Sequence, residues 1–276
     1  MKLCAIGQPR AVTWRTSEQV VSCDIIGIDH HITIDRPRRF DQLSDPVTIV
    51  CLDGAWTAGT VRDATRIMSM GGEAPEAVVV GVSFTDASMT DYLTSRARWF
   101  SPTAWVPPVE TGIKNAVAAE MGQAAAYLDF LTKTLVPMLQ SEHDVATGER
   151  WLVGHSFSGL FGLRTLFTQP DAYDAYLLAS PSIWWDDRAI LEIESKWAEV
   201  NDNLAARLFL SAGLDELASR EDGDEFRMRA NVEDLAAQLV DRAYPGLAIE
   251  HKIFADESHN STIGAAVSAG LRSLHV

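Results

Sequence analysis

The chain has 276 residues, 47% hydrophobic and 22% charged, with a net charge of −15 and an isoelectric point near 4.8. This length and composition suit one large α/β domain over 1–276 and exclude long disorder. The negative charge argues against nucleic acid or an anionic membrane as partner, because either is repelled. Nothing in the chain approaches the roughly 18 consecutive apolar residues of a membrane span, and the run from Met1 to Arg10 is too short for a secretory signal. The expected location is therefore cytoplasmic. Three cysteines without paired spacing point to neither a disulfide framework nor a zinc site, and no metal or cofactor is expected.

In chain order, Val20 to Ile26 and His30 to Asp35 flank Gly27 and read as an antiparallel hairpin, with Ile32 and Ile34 alternating against Thr33 and Asp35. His30 and His31 are neighbours on a strand, so they point to opposite faces and share no metal; both are expected at the surface. Apolar runs follow at Val47 to Leu52, Ala77 to Val82, Trp151 to Val153, Ala175 to Ala179, Leu208 to Leu210 and Ile249 to Phe254, the pattern of strands buried on both faces. Helical patterns occupy Thr60 to Met70, Asn115 to Leu139, Ser158 to Thr168, Ala189 to Val200, Glu225 to Ala243 and Ser261 to Leu274. Such alternation predicts a mostly parallel sheet with helices on both faces. Ser83 to Gly112 shows little periodicity but carries Trp99, Phe100 and Trp105. Long loops in compact domains are usually functional, so this one is expected to cap or line a pocket, with packing onto the core as the alternative.

The strand Trp151 to Val153 ends in Gly154-His155-Ser156-Phe157-Ser158-Gly159 and turns at once into a helix. This is the pattern of a nucleophile elbow, which exposes a strained serine above the sheet. Small residues are needed two before and two after the serine; Gly154 meets the first requirement, and Ser158 stands where the second glycine belongs. A serine hydroxyl needs a base. Of seven histidines, His259 is best placed, after the last strand and before the final helix. His155 lies inside the elbow with its side chain expected to point away from Ser156. The acid belongs after the penultimate strand, where Asp215 and Glu216 both follow Gly213; Glu216, three after the glycine, is preferred over Asp215. For an oxyanion hole, one N–H is that of Phe157 and the other that of Ala55 or Trp56, after Asp53-Gly54.

Val50 to Gly54, Gly154 to Phe161, the segment Ala179-Ser180-Pro181-Ser182-Ile183-Trp184-Trp185-Asp186 and Glu257 to His259 together resemble the Putative esterase family of α/β hydrolases, and within it the enterobactin-esterase-like branch. The resemblance runs from about Ser22 to the C-terminus. It implies an α/β-hydrolase fold and cofactor-free hydrolysis of a small-molecule carboxylic ester or lactone, with siderophore members opening trilactones or their linear products. Ser156 and His259 carry over directly, whereas the acid is less secure because some members of that branch work with a Ser-His pair. Trp184 and Trp185 are implied to wall the pocket, and Arg98 or Arg96 to meet an anionic substrate group. Acyl transfer with the same residues and a non-catalytic binding role are the rival readings. The oligomeric state, homo-oligomer included, stays open.

Overall fold

The computed structural model describes residues 15–23, 26–86, 88–106, 120–143, 145, 147–217 and 226–275. Eight strands form one sheet: β1 (Thr16–Cys23), β2 (Ile28–Asp35), β3 (Val47–Leu52), β4 (Ala77–Phe84), β5 (Arg150–His155), β6 (Ala175–Ala179), β7 (Ala206–Gly213) and β8 (Leu247–Phe254). Their spatial order is β1-β2-β4-β3-β5-β6-β7-β8. The β1/β2 and β2/β4 pairs are antiparallel and the others parallel, giving the expected hairpin on a parallel sheet.

Alternation along the inner strands divides the core. Ile49 and Cys51 of β3 join the cluster covered by α1 (Gly54–Met70) and α8 (Thr262–Leu274), whereas Val50 and Leu52 face the larger cluster on the other side. That second layer holds α2 (Met89–Phe100), α3 (Ala124–Phe130), α4 (Val136–His143), α5 (Phe157–Thr168), α6 (Trp185–Ala198) and α7 (Met228–Arg242). Helix α5 is buried around nearly its whole girth, as its central position requires. Between α3 and α4 the ladder widens to a π turn over Leu131–Leu135, and the Val136 N–H bonds to Leu131 O. Pro137, which has no N–H to continue an α ladder, follows directly.

Three expectations are corrected. Ser83 to Gly112 is not aperiodic throughout: α2 occupies Met89–Phe100, capped by the Ser88 hydroxyl, which accepts from the Asp91 N–H. Residues 107 to 112, like 115 to 119 of the helix expected over Asn115 to Leu139, lie outside the described residues. Second, Ile249 to Phe254 belongs to β8 at the sheet edge, where most of its side chains are exposed or half-buried rather than covered on both faces.

Third, His30 is fully buried, its ring stacked on Phe130 at 4.4 Å and bordered by Phe84 and Tyr127. Strand β1 on one side and α3 above leave β2 no free surface there. Burial pushes the His30 pKa down to about 4, outweighing the Ile28 carbonyl and the Asp29 charge. Unfolded histidine charges near 6.5. As pH falls from there to about 4, the unfolded chain binds a proton that native His30 refuses, withdrawing up to about 3 kcal/mol. His30→Leu therefore flattens the pH dependence of urea unfolding over that window; an unchanged slope contradicts the assignment.

Candidate active site

Parallel strands deliver their carboxyl ends to one edge of the sheet, where an α/β protein places its chemistry. The ends of β3, β5, β6, β7 and β8 bring Asp53, Ser156, Ser180, Glu216 and His259 to that edge. Ser156 has φ 63° and ψ −117°, a left-handed conformation that the turn from β5 into α5 imposes. It is held by its N–H to Ala179 O (3.0 Å), and its carbonyl accepts from Leu160 N–H (2.9 Å) and Ser182 N–H (3.1 Å). A Cβ on Gly154 would lie 2.3 Å from Ser158 O, so the first small residue of the motif is obligatory.

Ser158, where the motif's second glycine is expected, uses its hydroxyl. Its Oγ donates to Asp53 Oδ2 (2.7 Å) and accepts from His155 N–H (2.9 Å). Asp53 is buried at φ 53° and is the hub beneath the elbow. Arg96 grips it through two hydrogen bonds of 2.9 Å, and the Tyr92 hydroxyl adds a third at 3.1 Å. The Arg96 guanidinium also reaches His155 O (3.3 Å) and lies over the Trp56 and Phe157 rings at 5.1 and 5.7 Å. One ion pair thus joins the loop after β3, the elbow and α2.

Arg96 is therefore committed to Asp53, and Arg98, the residue expected to meet an anionic group, pairs instead with Glu120. Arg96→Met leaves the Asp53 carboxylate buried without its counter-ion and lowers unfolding free energy by about 3 kcal/mol. Arg98→Met stays within about 0.5 kcal/mol. Equal, small effects in urea titrations overturn this distinction.

His259 and Glu216 meet as expected. Glu216 Oε2 lies 2.9 Å from His259 Nδ1, while Glu216 Oε1 accepts from Gly213 N–H (2.6 Å) and Ser180 Oγ (2.5 Å). Burial opposes ionisation of Glu216, but these hydrogen bonds prevail and hold its pKa below the usual carboxylate range. Asp215 is exposed; its N–H bonds to Glu257 O (3.1 Å), tying the two loops together. Gly213 permits that approach, since a Cβ there would sit 2.1 Å from Glu257 O.

The His155 side chain is directed toward the loop that carries His259. Its Nε2 donates to His259 O (2.7 Å), and its ring lies 4.7 Å from the His259 ring. Burial, with the neighbouring His259 second, lowers its pKa to about 4, so it is neutral at pH 7.

The side-chain contact of Ser156 was not foreseen. Ser156 Oγ pairs with Ser182 Oγ at 3.3 Å, and no hydrogen bond joins Ser156 to His259 in this conformation.

For the oxyanion hole, α1 begins immediately at Gly54, and this changes the candidates. Trp56 N–H is used by Asp53 O (2.8 Å), whereas Ala55 N–H points to the Ser83 hydroxyl (2.8 Å). Phe157 N–H opens α5 and has no intrahelical acceptor.

The tryptophan pair divides. Trp185 is fully buried, bonded through Nε1 to Thr103 Oγ1 (3.0 Å), and packs on Trp105 and Phe157. It stands behind these rings, out of reach of solvent. Trp184 is half-buried and continues the wall between Phe157 and Phe226, with Trp105 edge-on. Trp105 thus brings part of the expected pocket stretch to the site, whereas Trp99 and Phe100 are core. A separate cavity of about 300 Å³ is lined by Gly27, Ile28, Asp29, Phe84, Thr85, Asp86 and Ser95 and includes none of these site residues.

Known proteins resemble this chain in sequence and fold. The chain is 30% identical over 258 residues to the ferri-bacillibactin esterase BesA of Bacillus subtilis (strain 168), covering 89% of this chain and 85% of that one. It is 35% identical over 173 residues to the siderophore enterobactin esterase of Emericella nidulans, spanning 55% of this chain and 56% of that relative. Among solved structures, the siderophore hydrolase EstA of Aspergillus nidulans superposes with a TM-score of 0.83 at 24% identity, covering 99% of both chains; this likeness speaks for the α/β-hydrolase fold. Among the described residues no helix is long and apolar enough to cross a membrane. The family model described as Putative esterase matches residues 24–252, and with the full-length relative it shows that the chain belongs to this family of ester-hydrolysing enzymes.

Proposed function

We propose that the protein is a serine esterase that opens the ester bonds of a siderophore through an acyl-enzyme. The observation that carries this reading is the strained Ser156 at the sheet edge that also holds the half-buried His259 paired with the buried Glu216 carboxylate. Ser156 Oγ attacks the ester carbonyl as its proton passes to His259 Nε2. Glu216, on Nδ1, fixes the tautomer and stabilises the imidazolium. The oxyanion receives Phe157 N–H and Ala55 N–H, the latter once the Ser83 hydroxyl rotates off it, because Trp56 N–H is bound to a main-chain carbonyl that cannot move aside. His259 then protonates the leaving alcohol, and water attacks the acyl-enzyme by the same route in reverse. The named substrates of the relatives, ferri-bacillibactin and enterobactin, support a siderophore ester, and the Trp184–Phe226 wall suits aryl groups.

The test is hydrolysis of a panel containing iron-loaded and iron-free bacillibactin and enterobactin, triacetylfusarinine C and simple aryl acetates, read by mass spectrometry with and without added alcohol acceptors. Mass gains of water on the siderophores are expected. Trp184→Ala lowers kcat/KM for the siderophores by about tenfold while leaving aryl acetate within about twofold. Turnover confined to acetates, or ester products that appear only with acceptors, overturns the reading.

A further inference from the structure

The loop that leaves β6 touches both ends of the catalytic chain. Its backbone is tightly held: Ser180 sits at φ 44°, its N–H bonds to Ser211 O (2.7 Å), and Ser182 N–H bonds to Ser156 O. Both serines are buried, at 0% and 1% exposure, so neither hydroxyl is there for solvation. Ser180 Oγ reaches Glu216 Oε1, and Ser182 Oγ reaches Ser156 Oγ.

We infer that Ser180 and Ser182 are positioning residues, Ser180 holding the carboxylate that orients His259 and Ser182 holding the rotamer of the nucleophile. The inference rests on Ser156 being the nucleophile. Each hydroxyl carries one proton. If Ser182 donates to Ser156 Oγ, the Ser156 proton stays free for His259 Nε2, and the Ser156 lone pair is oriented before substrate arrives. Ser180 donates to a carboxylate that cannot donate back, adding a charge-assisted bond to those from Gly213 and His259. Pro181, between them, lies against Gly159, where a Cβ would be 3.0 Å from its Cα, so the loop moves only with the elbow.

The two roles separate in pH. Without Ser180 the carboxylate is less satisfied and the Glu216–His259 pair binds a proton more readily, so the acid inflection of nucleophile reactivity moves to higher pH. Loss of Ser182 leaves that pair untouched. Other titratable or charged neighbours are His155, neutral above about pH 4, Arg96, which is bound to Asp53, and Asp215 and Glu257 on the two loops themselves, none of which either variant alters.

The experiment measures the second-order rate of labelling by a fluorophosphonate from pH 4 to 9 in the full chain, in Ser182→Ala and in Ser180→Gly, with circular dichroism as the check of folding. Glycine suits the φ of Ser180, so that variant removes the hydroxyl without adding backbone strain. Expected are a three- to tenfold slower rate at every pH with an unmoved inflection for Ser182→Ala, roughly the size of one lost hydrogen bond. For Ser180→Gly, an inflection raised by about half a pH unit is expected. Wild-type rates and inflections in both folded variants overturn the inference while leaving Ser156 as nucleophile. If the unaltered chain is labelled elsewhere than Ser156, the nucleophile reading fails first and the inference with it.

Discussion

Ser156→Ala is expected to lower kcat/KM for the best ester substrate by at least about 10⁴, with KM changed little and stability equal or raised. In the proposed mechanism the hydroxyl forms the covalent bond, so its loss removes the acyl-enzyme route; what remains there is rate enhancement from binding and the Phe157 and Ala55 donors. Stability does not fall because the hydrogen bonds that hold the elbow use main-chain atoms that alanine also has. Steady-state kinetics on the purified variant, with thermal unfolding as control, checks both halves. Turnover within tenfold of wild type in a folded Ser156→Ala protein contradicts the assignment.

Glu216→Gln is expected to lower kcat by about a hundredfold or more, and Asp215→Asn by less than about twofold. Only Glu216 meets the imidazole, and glutamine in the same space neither carries the charge that stabilises the imidazolium nor accepts at both oxygens. A reversed ranking transfers the role to Asp215, and small effects from both favour a Ser-His pair. The substitution also carries a pH signature. Native Glu216 has a depressed pKa, so its ionised form contributes stability that is present above the ordinary carboxylate pKa and is lost as pH falls through the native value. Wild type therefore loses that contribution below about pH 4, and Glu216→Gln does not.

Much of this site was legible in the sequence because its signals are local. A strand ending in Gly154-His155-Ser156 and a helix starting at Phe157 follow from short-range pattern. The order serine, acid, histidine led to His259 and to Asp215 or Glu216 without knowledge of the sheet order, and only the spacing from Gly213 preferred Glu216. Helix α2 was missed for a physical reason. Its buried side carries Arg96 between Tyr92 and Trp99, and a charged residue on the inner stripe masks the apolar periodicity. The Ser88-x-x-Asp91 cap was the available signal. Arg96 reaches its partner across 43 positions of chain, and no local rule pairs it with Asp53 rather than leaving it at the surface. Trp184 and Trp185 are the same residue type, and which one is fully buried depends on the turn that starts α6. Likewise, Ala55 and Trp56 separate only once α1 is seen to begin at Gly54, because that start spends the second N–H within the helix.

The central claim, that Ser156 is the acylated nucleophile, is tested most directly by locating the adduct of a fluorophosphonate on the native protein. Trypsin releases Ser156 in the peptide Trp151 to Arg164, which also carries Ser158, so fragmentation must place the added mass. A single adduct on Ser156, abolished in Ser156→Ala and in heat-unfolded protein, is the predicted result. An adduct on Ser158 or on any other peptide, or no adduct on a folded protein that still hydrolyses its ester, contradicts it.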